Sequence, residues 1–100
     1  MSESILSNKR ECYICGKTYP LHVHHLFGGT GRRDLSDAWG CWVYLCPEHH
    51  NMGNYSAHLN RELDLKLKRK CQAQLELDGW TRERFIQTFN KSYLEDETDE

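Results

Sequence analysis

His22-Val23-His24-His25, answered downstream by Cys46-Pro47-Glu48-His49-His50, is the pair of segments on which the reading of this chain turns. All six histidines lie between His22 and His58, and four of the five cysteines lie between Cys12 and Cys46. Groups that bind metals and move protons therefore gather in one half of the chain. Upstream, Cys12-Tyr13-Ile14-Cys15-Gly16 has the form of a knuckle, two cysteines three apart in a tight turn with glycine directly after the second. Cys46 and His49 repeat that three-residue step. Two such pairs make a closed tetrahedral donor set, the pattern of structural zinc. Cys41 is an alternative to Cys46, but its place beside Trp42 in an apolar run favours a small buried hydrophobe.

Working outward, Tyr19 to Phe27 alternates loosely and suits a strand. Gly28-Gly29-Thr30-Gly31-Arg32-Arg33-Asp34 reads as a flexible loop with a basic tip, and Trp39 to Cys46 as a second, largely buried strand. The expectation is an antiparallel pair joined by a long loop, with zinc tying the front of the first strand to the end of the second. Asn54 or Ser56 is the expected N-cap of a long helix. In it Leu59, Leu63, Leu67, Cys71 and Leu75 recur every fourth residue, up to a stop at Asp78-Gly79. Lys66, Lys68, Arg69 and Lys70 surround part of that stripe. Thr81 is placed to cap a second helix, in which Phe85, Ile86 and Phe89 face inward.

One hundred residues make one small domain. A chain of that size buries a modest core, which a metal commonly supplements. The odd number of cysteines and the polar first ten residues argue against a secreted disulfide framework, and no run is of a kind to span a membrane, so a reduced cytoplasmic protein is expected. The formal net charge of −2 hides an asymmetry. Glu95, Asp96, Glu97, Asp99 and Glu100 are acidic, and residues 1–94 carry 13 basic against 10 acidic groups. A mildly basic body permits nucleic-acid binding. The chain divides into a polar arm (1–10), a metal-binding core (11–60), a helical extension packing on it (61–94) and an acidic tail expected to be disordered (95–100).

If His49 closes the zinc set, His50 leaves the backbone in another direction and is free to meet His24 or His25. Together Cys12-Tyr13-Ile14-Cys15, Val23-His24-His25, the loop, Leu45-Cys46-Pro47-Glu48-His49-His50 and the following helix resemble the HNH endonucleases, small phage-type members above all. The resemblance covers roughly residues 11–60. It implies an α+β fold, a zinc-stapled ββα-metal (HNH) core with a C-terminal helical extension. By the same resemblance His24 and His50 are metal ligands, His25 is the general base, and His58 or Asn54 completes the set. The structural zinc would be held by Cys12, Cys15, Cys46 and His49. The catalytic ion would be a divalent metal such as Mg²⁺, Mn²⁺, Ni²⁺ or Zn²⁺, and the products would carry 5′-phosphate and 3′-hydroxyl ends. Neutral imidazole near pH 7 suits the task of taking a proton from water.

One position departs from the family, whose second strand begins with an Asn where this chain has Cys41; Asp37 and Ser36 are the candidates to brace the loop instead. His22 reads as a surface strand residue. Arg32 and Arg33 in the loop, and Arg61 with the lysines of the long helix, are expected to meet DNA phosphates rather than base edges. The expected activity is metal-dependent hydrolysis of DNA phosphodiesters. Two rivals are a non-catalytic zinc module binding nucleic acid or protein, and a nuclease subunit that needs a phage packaging or recombination partner. Leu65 off the main stripe and Trp80 without an obvious place leave a homodimer open.

Overall fold

The computed structural model of the protein describes residues 3–27 and 32–94. It is a small α+β fold with a two-stranded antiparallel sheet, β1 (His22–His25) against β2 (Trp42–Leu45), and three α-helices, α1 (Arg32–Trp39), α2 (Arg61–Leu77) and α3 (Arg82–Phe89). The register opposes His22 to Leu45, Val23 to Tyr44, His24 to Val43 and His25 to Trp42. Both strands are shorter than expected. The segment Tyr19–Leu21 leaves the ladder before β1, and Trp39 belongs to a helix rather than to β2.

That helix corrects the expected long loop. Asp34 lies in the first turn of α1, where a carboxylate favours the exposed amides of a helix start. Gly40 ends the helix at φ +73. A side chain there would run into the carbonyl oxygen of Glu3, because the N-terminal arm passes close by and Ile5 N–H donates to the Gly40 carbonyl at 3.0 Å. Glycine is the residue that meets both demands. Ser36, fully buried, ties α1 to the end of β1 by accepting from Phe27 N–H at 3.1 Å and donating to the Phe27 carbonyl at 2.9 Å.

After β2 the chain makes a single π-helical turn (Glu48–Met52), closed by Gly53 N–H on the Glu48 carbonyl at 2.9 Å. It then folds back on itself, with Ala57 N–H donating to the His49 carbonyl at 2.8 Å and His58 N–H to the His50 carbonyl at 3.1 Å. The helix start expected at Asn54 or Ser56 moves to Asn60, whose side chain accepts from Leu63 N–H at 3.0 Å. Leu59 consequently drops out of the apolar stripe and stands 63% exposed. Leu63, Leu67, Cys71 and Leu75 keep theirs, buried in one cluster with Leu26, Phe27, Val43, Leu45, Phe85 and Phe89.

Thr81 caps α3 by accepting from Arg84 N–H at 3.0 Å. Phe85 and Phe89 turn inward, whereas Ile86 faces solvent instead of the core, since it adjoins Phe85 on a helix only one side of which is covered. Trp80 finds its place against Trp39 and Phe89, with the Arg84 guanidinium 3.9 Å above its ring. The acidic stretch 95–100 and the glycines at 28, 29 and 31 lie outside the described residues.

Candidate metal centres

Two donor clusters sit at opposite ends of one dipeptide. His49 and His50 leave the π-helical turn in different directions, and each joins a separate set. The first set is Cys12, Cys15, Cys46 and His49, whose donor atoms all lie within 4.8 Å of one another. Cys15 Sγ is 3.8 Å from Cys46 Sγ, and His49 Nδ1 is 3.3 Å from Cys46 Sγ and 3.8 Å from Cys12 Sγ. A tetrahedral zinc with Zn–S bonds of about 2.3 Å spaces its sulfurs by about 3.8 Å, so the cage is already at the size of the ion. These residues form a set able to hold a metal such as zinc.

Backbone geometry prepares the thiols. Gly16 N–H donates to the Cys12 carbonyl at 2.9 Å and Cys12 N–H to the Lys17 carbonyl at 2.8 Å, which closes the knuckle with Gly16 at φ +82. Burial pushes the Cys12 thiol up, but backbone hydrogen bonds at Cys46, Cys15 and Ile14 outweigh it and bring the group down to about 6. The thiolate, which is the ligating form, is therefore favoured there near pH 7. At Cys15 the backbone hydrogen bond at Lys17 lowers the pKa, but burial and the neighbouring thiols Cys12 and Cys46 leave it raised.

The second set is His24, His50 and His58, again with one ring nitrogen each within 4.8 Å. His50 Nε2 and His58 Nε2 are 3.2 Å apart, and the His24 ring meets both others edge-on with centroids 5.3 and 5.1 Å away. His24 is 5% exposed, and its Nε2 is buried with no hydrogen-bond partner among the described residues. A buried ring nitrogen without a partner is costly unless something not made of protein completes it. Burial first, and then the charges of His50, His58, His25 and Lys68, push His24 down to about 3. Burial, then His58 and His22, push His50 down to about 4. Both rings are neutral near pH 7 and present lone pairs.

His25, the last residue of β1, projects to the other side of the strand from His24. Its Nε2 is 2.6 Å from Asp37 Oδ1 on α1. His24, His25 and His58 nevertheless line one open cavity of about 350 Å³, together with Leu26, Ala57 and the ion pair of Asp64 and Lys68, whose Nζ–Oδ2 distance is 2.9 Å.

The sequence-predicted residues thus fall into three groups. Cys12, Cys15, Cys46 and His49 come together, as do His24, His50 and His58, with His25 beside the latter. Asn54 is exposed, in the segment after Gly53 that folds back rather than continuing as a helix. Arg61 opens α2 in an exposed position, and the side chains of Arg32 and Arg33 lie outside the described residues. Cys41 is fully buried in the core beside Cys71, whose thiol is raised first by a hydrogen bond with Cys41 and then by burial.

Three residues join the site without having been singled out for it. His22 lies with its Nδ1 2.9 Å from His50 Nδ1, and Asp64 and Lys68 line the cavity. His22 was within reach of sequence reasoning, since it shares a strand face with His24. Lys68 was not, because nothing in a run of lysines says which one meets the cavity.

No family model matches this chain, nor does any curated protein or solved structure at a significant level. No helix among the described residues is long and apolar enough to cross a membrane.

Proposed function

We propose that the protein is a metal-dependent endonuclease of the HNH type that hydrolyses DNA phosphodiesters at the cavity shared by His24, His25 and His58. The observation that carries this reading is the juxtaposition of two unlike groups of histidines, which share one cavity through His24, His58 and His25. Three are clustered with their nitrogens turned on one another, and one is held by a carboxylate at 2.6 Å. The first arrangement suits a metal and the second a base.

The unpartnered, buried Nε2 of His24 fits a divalent ion, which His24, His50 and His58 would hold. Once bound, it would supply Lewis-acid stabilisation to a phosphate oxygen and to the departing 3′ oxygen. The protein's own part begins with His25. Asp37 occupies its Nε2, so Nδ1 is left to take a proton from a water molecule as that water's oxygen attacks phosphorus. The P–O3′ bond breaks, and the leaving oxygen draws its proton from solvent. Asp37 fixes the tautomer and steadies the imidazolium that forms, the role a carboxylate plays beside a catalytic histidine. Lys68, restrained by Asp64, offers its ammonium to the phosphate. Cys41 cannot brace His25 from the core, and Asp37 does so from α1.

The test is a plasmid-nicking assay on zinc-loaded protein with Mg²⁺, Mn²⁺ or Ni²⁺ added in turn, beside His25→Ala. Nicking that requires added metal and disappears in the variant is expected. Intact wild type that binds DNA but cuts under no metal would instead favour a zinc-stapled binding module, the second reading that the buried Cys41 allows.

A further inference from the structure

We infer that the cleft between the zinc knuckle and α2 is a second nucleic-acid subsite that takes an unpaired base, so that the preferred substrate has single-stranded character close to the cut. The inference rests on the nuclease reading for its choice of ligand, but its residues belong to neither metal set.

The cleft has a volume of about 280 Å³. Leu63 and Leu67 form its floor, Tyr13 and Tyr55 its walls, and Lys66 and Lys70 its rim. The two leucines are buried, Tyr55 is 47% exposed, and both lysines reach solvent. Lys70 Nζ stands 5.6 Å from the centre of the Tyr13 ring, which keeps a cation beside an aromatic face. Apolar floor, aromatic walls and a cationic rim make a chemistry that suits a flat π-system carrying phosphate. Single strands are held in just this way, by base stacking on aromatic rings and by basic side chains along the backbone. An unpaired nucleotide meets both demands at once, whereas a duplex hides its base faces.

The cleft and the histidine cavity lie on either side of the buried stripe of α2, since Lys66 and Lys70 face one flank and Asp64 and Lys68 the other. One short segment serves both: Tyr55 lines the cleft, and Ala57 and His58 line the cavity. His58 stands three positions after Tyr55, a backbone span of at most about 11 Å. A strand lying across this segment, with its phosphate at the histidines, would therefore bring a base only a few nucleotides away to Tyr55. Tyr55 is itself positioned by the zinc set, as its ring meets that of His49 edge-on at 6.3 Å.

The experiment measures fluorescence anisotropy of labelled single-stranded and blunt duplex oligonucleotides with zinc-loaded protein and no added divalent metal, then repeats cleavage on flapped and fully paired substrates. Wild type should bind the single strand more tightly than the duplex. Tyr55→Leu should weaken single-strand binding roughly 5- to 150-fold, with Tyr55→Phe restoring it because the ring is what stacks. Lys66→Glu with Lys70→Glu should lower the slope of log affinity against log salt by about 1.4. All these positions are at the surface, and unchanged zinc content and circular dichroism establish that the variants fold.

Equal affinity for single strand and duplex overturns the inference, as does Tyr55→Leu that binds like wild type, or an acidic peptide that displaces the oligonucleotide while an uncharged-backbone oligonucleotide of the same bases does not. Cleavage of the flapped substrate unaffected by Tyr55→Leu would remove the subsite and leave the nuclease standing. Absence of nucleic-acid binding of any kind would remove both.

Discussion

At the scale of single residues, the pairing of His25 with Asp37 is the most consequential contact. It assigns one ring nitrogen to a carboxylate and, on the nuclease reading proposed above, leaves the other to take the proton from water. Asp37→Asn keeps the shape but no longer stabilises an imidazolium, and it permits the wrong tautomer. We expect kcat to fall by about 10²-fold or more with KM little changed, the size of a general-base contribution. A variant with full kcat would remove Asp37 from the mechanism. His24 makes a second prediction, in protein with the histidine site metal-free. Its folded pKa, about 3, lies below the ordinary value of 6.5, so between those limits the unfolded chain binds the proton and the folded one does not. Stability is thus complete above pH ~6.5 and declines as pH falls, by at most about 1.4 kcal/mol per pH unit for this buried ring. His50 acts in the same direction, but more weakly because it is better solvated. Denaturant midpoints measured from pH 7.5 to 4.5 should fall in wild type and fall less in His24→Gln; parallel profiles would contradict the assignment.

At the scale of elements, the joints of α1 and α2 are what position the site. Asn60 now starts α2, so Asn60→Ala should cost about 1 kcal/mol, read as a shift in the denaturation midpoint, while Asn54→Ala, exposed and uncapped, should change little. The reverse order would restore the cap to where the sequence alone puts it. Sequence reasoning missed this boundary because Asn54, Ser56 and Asn60 are all good caps. The choice between them is made by backbone bonds of Ala57 and His58 to the carbonyls of His49 and His50, a tertiary fact with no local signature. The same bonds explain why His58 reaches His50 although no continuous helix carries it there. The buried stripe from Leu63 to Leu75 was legible because its period is set by the helix itself. Helix α1 was not, since it is eight residues long, follows glycines and is held chiefly by the buried Ser36 and by Gly40. The cysteine set was legible for the opposite reason: the three-residue step repeats whatever the boundaries of the elements are, and the adjacency of His49 to His50 sends His50 toward the strand histidines, whereas the choice of His24 over His25 and the addition of His58 came with the family resemblance.

At the scale of the molecule, the two donor sets differ in depth and chemistry, and so should differ in how firmly they hold metal. The cysteine-rich set joins the knuckle to the end of β2 and is shaped to a tetrahedral ion, with Cys12 and Cys46 buried. Zinc held in such a set contributes about 10–16 kcal/mol of binding free energy, as much as the whole stability of about 5–15 kcal/mol typical of a domain. The histidine set offers three imidazole donors, one of them exposed at His58, and opens on a cavity. A graded chelator titration should therefore separate into two steps. Nuclease activity should go first and return on adding divalent metal, with far-ultraviolet circular dichroism unchanged; the fold should loosen only at higher chelator strength, as the last zinc leaves. Cys46→Ser should move the second step to weaker chelation, whereas His58→Ala should remove the first and leave the second in place. If activity and fold were lost together at one chelator concentration, the two clusters would be acting as a single metal centre, and the division of labour between His49 and His50 would fail with it.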